Sequence, residues 1–391
     1  MDIDLYLNPI DLSGYEFADK ASRRRLGDVV NAYLNNRSFP ELKDFDIAII
    51  GVLEDRNTVG NKGCAAAPDQ IRKYFYQLYE GAYKTRLVDL GNIKSGHTIE
   101  DTYFALSSVV KELLKQNIVP VIIGGGQDLT YANYQAYEDL GQIINIVAID
   151  PIFDLGKTEQ EMSSQSYLSK IILHQPNYLF NFSNIGYQTY FVDQDAIELM
   201  KNLFFDAYRL GFVRSKIDEV EPIVRNADLV SFDISAIRHS DAPGNKNVAP
   251  NGFYGEEACQ IARYAGMSDK LTSIGFYEMN PEFDNHGQTA HLVAQMIWYF
   301  VDGFYNRKDE FPHKDKRQFI KYHVAIAGEK DDLVFYKSKK SDRWWMEVPI
   351  RSQNKVKFKR HHMIPCSYHD YQIACDNDIP DRWWQAYQKL M

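Results

Sequence analysis

The chain has 391 residues, of which 45% are hydrophobic, enough apolar material for a large buried core. Its charged fraction of 25% is ordinary for a globular protein, and its net charge of −9 argues against general affinity for nucleic acid or an anionic membrane. No apolar run is long enough to span a bilayer, and the acidic start Met1-Asp2-Ile3-Asp4 lacks the regions of a signal peptide. Four scattered cysteines (Cys64, Cys259, Cys366, Cys375) do not make a disulfide framework, so the expected setting is reducing and cytoplasmic.

Short runs rich in Val and Ile, each ending in polar or glycine residues, fall at 47–51, 119–126, 143–150, 229–235 and 271–278. Continuous apolar runs of that length suit strands buried on both faces, as in a parallel sheet. Helical patterns lie between them. Residues 66–79 open with Pro68-Asp69, and 101–116 set Phe104, Leu106, Val109, Val110, Leu113 and Leu114 on one side. Residues 255–265 and 290–304 repeat the pattern. This alternation predicts an α/β protein, an open sheet with helices on both faces, whose ligands bind beyond the carboxyl ends of the strands.

Polar residues gather at those ends: Gln127 and Asp128, Asp150 and Asp154, Asp233 and Ser235, then Glu278. A single strand-end carboxylate is most often a helix cap or turn residue. Several on different strands predict a polar cleft, with a cation or cationic substrate to offset their repulsion.

Composition shifts after Asn306. Residues 314–360 hold 14 Lys or Arg against 6 Asp or Glu, and four of the five tryptophans lie in or beyond this stretch, in the repeated strings Asp342-Arg343-Trp344-Trp345 and Asp381-Arg382-Trp383-Trp384. Tyr322, Val324 and Ile326 alternate ahead of a turn at 328–332, and 333–336 return as a second strand. The pattern implies a main domain over 1–310 and a basic, Trp-rich, β-rich appendage over 311–391, closed by a short helix after Pro380. The paired tryptophans are read as packing anchors ahead of a ligand platform.

The strand-end segments form an ordered set. Gly124-Gly125-Gly126-Gln127-Asp128, Asp150-Pro151-Ile152-Phe153-Asp154, Ser231-Phe232-Asp233-Ile234-Ser235 with Ala242-Pro243-Gly244, and Glu278-Met279-Asn280-Pro281 follow one another at the right spacing. Upstream, Asn61-Lys62-Gly63-Cys64-Ala65 leads to Pro68 and Ile71-Arg72. Together, over about residues 45–300, they resemble the arginase (ureohydrolase) family, with the triple glycine similar to the formimidoylglutamase branch.

The resemblance implies a three-layer α/β/α domain with a mostly parallel sheet, usually oligomeric, that hydrolyses guanidinium or amidine C–N bonds with two manganese ions bridged by a hydroxide. An amidinium carbon is a poor electrophile toward neutral water, and paired cations lower the pKa of a shared water and hold it for attack. Three of the six ligand positions depart from that pattern. Gln127 and Ile152 stand where histidines belong, and Ser235 stands where an aspartate belongs. Asp150, Asp154 and Asp233 remain, and Glu278 matches the carboxylate that meets the substrate's cationic end.

A dinuclear manganese site is therefore not expected. The oxygen set of Asp150, Asp154, Asp233 and the Gln127 carbonyl suits at most one hard cation (Mn, Mg or Ca), and an empty, otherwise neutralised pocket stays open beside it. The stretch Ser163-Ser164-Gln165-Ser166-Tyr167 lacks the histidine the family often carries there, and His174 is read as a helix-surface residue. The leading expectation is a binding or regulatory relative, a pseudoenzyme, that still accommodates a guanidino or amidine molecule. The alternative is a divergent linear-amidine or guanidine hydrolase, formimidoylglutamase- or agmatinase-like. The expected partners are a second copy of the chain and a protein captured by the appendage, with no nucleic acid and no membrane.

Weaker patterns carry less. Gly124-Gly125-Gly126 lacks dinucleotide-binding spacing, and Gly156-Lys157-Thr158 lacks the upstream glycine of a phosphate loop. His361, His362, Cys366, His369 and Cys375 match no established zinc spacing.

Overall fold

A computed structural model of the chain describes residues 2–11, 25–156, 161–312, 316–328 and 331–391. Lys157 and Thr158, and Glu329 and Lys330 of the expected 328–332 turn, lie outside the described residues. The central sheet comprises β1 (Leu7–Asn8), β2 (Asn31–Ala32), β3 (Ile47–Val52), β4 (Leu87–Ile93), β5 (Val119–Ile123), β6 (Ile144–Ile149), β7 (Leu179–Tyr187), β8 (Asp206–Arg209), β9 (Leu229–Asp233) and β10 (Ser273–Tyr277). Its order is β1-β4-β3-β5-β10-β9-β6-β7-β8, with β2 also on β4, and every pairing is parallel except β1 with β4.

The apolar runs form strands because both faces are covered. Every residue of β3, β5, β6, β9 and β10 is buried. Alternate side chains point to opposite layers. Ile47 and Ile49 join one core with helices Ala67–Phe75, Gly255–Gly266 and Gln288–Tyr305, while Ala48 and Ile50 join the other with helices Ile99–Lys115, Leu129–Asp139 and Tyr167–Leu173. The expected three layers are thus present. One face assignment differs: Phe104 is 60% exposed, touching Tyr6 edge-on, because Tyr103 takes the core-facing position in that turn. Strand β4 escapes the apolar pattern because Asp89 sits inside it. That carboxylate is fully buried and bound by Arg72 (2.8 Å) and Tyr76 (2.7 Å), a paired charge that reads as a loop residue in sequence.

The appendage is a sequential antiparallel sheet of β11 (Phe319–Val324), β12 (Leu333–Ser338), β13 (Trp344–Glu347) and β14 (Met363–Cys366), followed by helices Tyr368–Cys375 and Asp381–Leu390. Trp344 and Trp345 are buried, as packing anchors should be, whereas Trp384 is 47% exposed. The sheet docks at the N-terminal ends of the central strands. Arg360 pairs with Asp228 (2.6 Å) just before β9, and His361 reaches the Ile143 carbonyl (3.2 Å) just before β6 and stacks on Phe180 at the start of β7. It is therefore at the opposite end of the sheet from the strand-end carboxylates. No helix among the described residues is long and apolar enough to cross a membrane.

Candidate functional site: a buried carboxyl cluster

Strands β5, β10, β9 and β6 are neighbours, so their carboxyl ends emerge side by side. The register aligns Ile149 with Phe232 and Tyr277 with Asp233, which brings Asp150, Asp233 and Glu278 to one place; Gly124, donating to the Phe276 carbonyl (2.9 Å), carries Gln127 there as well. The triple glycine is dictated by crowding. Gly125 runs along the backbone of residue 54, and a side chain on it would collide with the Glu54 carbonyl. Asp154 and Glu278 adopt φ of +51° and +67°, a left-handed backbone that costs a non-glycine residue about 1–2 kcal/mol. Strain of this kind gathers at functional sites.

The cluster is closed rather than open: Gln127 and Asp150 are 1% exposed and Asp233, the most accessible carboxylate, is 8%. Within it, Gln127, Ser235 and Ile152 act as hydrogen-bond donors. Gln127 turns its Nε2 toward Ser231 Oγ (3.3 Å) and Tyr167 OH (3.4 Å), and that amide also hydrogen-bonds to Asp150. Ser235 gives its backbone N–H to Asp233 Oδ1 (2.6 Å) and its hydroxyl bonds to the same carboxylate. Ile152 contributes a backbone N–H to Asp150 Oδ1 (2.8 Å) and a hydrocarbon side chain. Glu278 accepts from the Gln127 N–H (3.0 Å) and Asn61 Nδ2 (2.8 Å).

Among the described residues no Lys, Arg or His pairs with these carboxylates; the nearby Arg56 is spent on Glu54 (2.5 Å). Burial, reinforced by the charge of Asp150, pushes Asp154 and Asp233 well above the usual carboxylate range. Asp150 is raised too, by burial first, and among the described residues Asp150 Oδ2 and Asp154 Oδ2 lie buried without a hydrogen-bond partner. Burial raises Glu278 to about 7 and Asp128 to about 6. Amide N–H groups and hydroxyls are thus the polar partners of these carboxylates.

This donor set does not fit two manganese ions. Ile152 has no lone pair, Ser235 is committed as a donor, and the Gln127 amide presents N–H rather than carbonyl oxygen. Among the described residues no group of three His, Cys, Asp or Glu converges in metal-ligand geometry. Of the predicted positions, the structure gathers Gln127, Asp150, Asp154, Asp233, Ser235 and Glu278, with Ile152 at the margin. His174 is half-buried and bonds Glu138 (2.6 Å), away from the cluster.

Sequence reasoning missed the residues that seal the site. Asn61 bridges the Glu278 carboxylate and its carbonyl, Asn245 also donates to that carbonyl (2.8 Å), and Ser164 ties its loop to Val59 (3.1 Å) and hydrogen-bonds Glu278. Asn61 and Ser231 fall inside the family-like motifs, but their roles depend on partners about a hundred residues or more away. In the appendage, His361 and Cys366 are buried in packing, and the described histidines and cysteines there form no metal group.

The arginase family matches residues 45–302, about two thirds of the chain. The chain belongs to the arginase family. It is 30% identical over 266 residues to the formimidoylglutamase of Staphylococcus aureus strain MSSA476, covering 65% of this chain and 85% of that protein. The fold is similar to that of Trypanosoma cruzi formiminoglutamase, solved with Mn2+2, at a TM-score of 0.66 and 21% identity over 73% of this chain and all of that one. It is likewise similar to the Bacillus subtilis formimidoylglutamase structure (TM-score 0.66, 19% identity, 76% of this chain, 97% of that chain). These relatives place the chain near the formimidoylglutamase branch.

Proposed function

We propose that this chain is an arginase-family protein in which a proton-neutralised carboxyl cluster has replaced the dinuclear manganese centre, and that it acts by binding or regulation rather than by amidine hydrolysis. One observation carries the reading: at Gln127 and Ser235 a hydrogen-bond donor, and at Ile152 a hydrocarbon, occupies a position where a metal needs a lone pair. Without a metal-bound hydroxide, the cluster has no group able to attack an amidinium carbon. Glu278 retains the position to face a guanidinium or amidine, so the ligand class can outlive the chemistry.

The test is metal analysis of protein reloaded with manganese, with an amidine-hydrolysis assay beside it. Fewer than two ions per chain and no turnover are expected; two ions with hydrolysis overturn the proposal. The triple substitution Gln127→His, Ile152→His, Ser235→Asp supplies two imidazoles and a carboxylate and is expected to raise manganese content toward two per chain. A second reading rests on Asp150 Oδ2 and Asp154 Oδ2, which have no hydrogen-bond partner among the described residues and form an oxygen pair open to a single Mn, Mg or Ca ion. A one-ion hydrolase would release formamide, urea or ammonia from a formimidoyl or guanidino compound, and Asp150→Ala would abolish it. A broad screen of such compounds without turnover dismisses that reading.

A further inference from the structure

The tryptophan pair that is not buried borders a large concavity of the appendage. At one end of the small sheet, where β12 begins, β13 ends and β14 begins, lies a groove of about 1250 Å³. Its apolar lining includes Val348, Ile350, Ile379, Trp383, Trp384 and Tyr387. Trp383 is fixed by a hydrogen bond to the Glu347 carbonyl (3.1 Å) and stacks on Tyr387 (5.0 Å, 14°), which Trp384 flanks in turn (5.7 Å, 15°). Val356 stands 92% exposed on the same rim. The volume exceeds the roughly 300–1,000 Å³ usual for a small-molecule pocket. Rigid aromatic anchors beside exposed aliphatic groups are the composition of a macromolecular interface.

The charges on the rim decide which macromolecule. Asp331 and Asp332 stand at the start of β12, while Lys355, Lys359 and His362 precede β14. All five line the one groove, and β12 and β14, which these groups precede, lie on either side of β13, about 10 Å apart at the usual strand spacing. Among the described residues Asp331, Lys355 and Lys359 form no ion pair, and Asp332 has only His323 at 3.6 Å. A uniformly acidic or basic partner segment would meet one rim of its own sign. A two-fold axis running along the groove, between the rims, instead sets the acidic rim of one copy against the basic rim of the other, the self-complementarity that an isologous contact requires.

We infer that this groove is a docking surface for the same groove of a second copy of the chain, with Val356 and Trp384 entering the partner's apolar lining. The inference is independent of the carboxyl cluster, which lies at the other end of the molecule. It is tested on the full chain by sedimentation equilibrium, with thermal unfolding as the control for folding. Val356→Glu alters an exposed side chain and is expected to halve the assembled mass at micromolar concentration without lowering the unfolding midpoint. The pair Lys355→Glu, Lys359→Glu should halve it too, and adding Asp331→Lys, Asp332→Lys should restore it, because the rims then meet with signs exchanged. A mass unchanged by Val356→Glu overturns the inference. So does loss of assembly that the charge exchange fails to restore, which would assign the groove to a different macromolecule.

Discussion

At the N-terminal ends of the central strands Asp228 is fully buried and meets Arg360 at 2.6 Å, Lys270 at 3.7 Å and the Asn145 N–H at 2.9 Å, whereas at the carboxyl ends five buried acids share one neighbourhood without an ion pair to a basic side chain among the described residues. The first region holds the appendage in place. Arg225 bonds Glu221 (2.9 Å) and the Trp344 carbonyl (3.1 Å) while stacking on Trp345, and Arg382 pairs with Glu219 (2.7 Å). Burial lowers Lys270 to about 8, against the pull of Asp228, yet each charge there has a partner. Acids kept together without bases do little for folding. Buried ionisable groups gathered in this way mark a candidate functional site.

Three experiments break or sharpen this contrast. Asp228→Ala strands a buried lysine and Arg360, and should cost about 3–5 kcal/mol in urea unfolding. A cost under about 1 kcal/mol would mean that the charges at the appendage junction are not mutually compensated. The pH dependence should run in the opposite sense to that of ordinary paired carboxylates. Glu278 and Asp128 are raised in the folded state to about 7 and about 6, so below about pH 4 both states hold these protons and there is no penalty. As pH rises toward 7 the unfolded chain releases them first, and stability falls by about 1.4 kcal/mol per pH unit for each proton concerned. Unfolding midpoints of metal-free protein that climb steadily from pH 4 to 7 would contradict the protonated cluster. The smallest effect is expected from Asp154→Asn. Asparagine tolerates the φ of +51° and removes a buried ionisable group, so a gain of about 1 kcal/mol at pH 8 is expected. If Mn²⁺ stabilises the wild type and the substitution removes that effect, the single-ion reading gains instead.

Much of the site is legible in the residue order alone. Gln127, Asp150, Asp154, Asp233 and Glu278 mark the strand ends along the chain, and five apolar runs predict β3, β5, β6, β9 and β10. Strands β7 and β8 are not legible, because polar residues interrupt the pattern at Asn181, Ser183 and Asn184 and because β8 is a four-residue edge. The two tryptophan pairs sit in the same four-residue string, yet one is core and the other borders a groove. Local sequence carries no signal for that difference, since it arises from which face each element turns to its neighbours.

The sequence by itself determined the family, the strand-end placement of the acids and the identities Gln127, Ile152 and Ser235 beside them, because the order of residue types along the chain is fixed before it folds. Tertiary structure decided that the acids are sealed from solvent, that Gln127 and Ser235 face them as donors, and that the appendage grips the far end of the sheet. Those outcomes rest on contacts such as Asn61 with Glu278, 217 positions apart, and Arg360 with Asp228, 132 apart. Direction and burial are properties of such pairings, and they come into being only when the chain closes on itself.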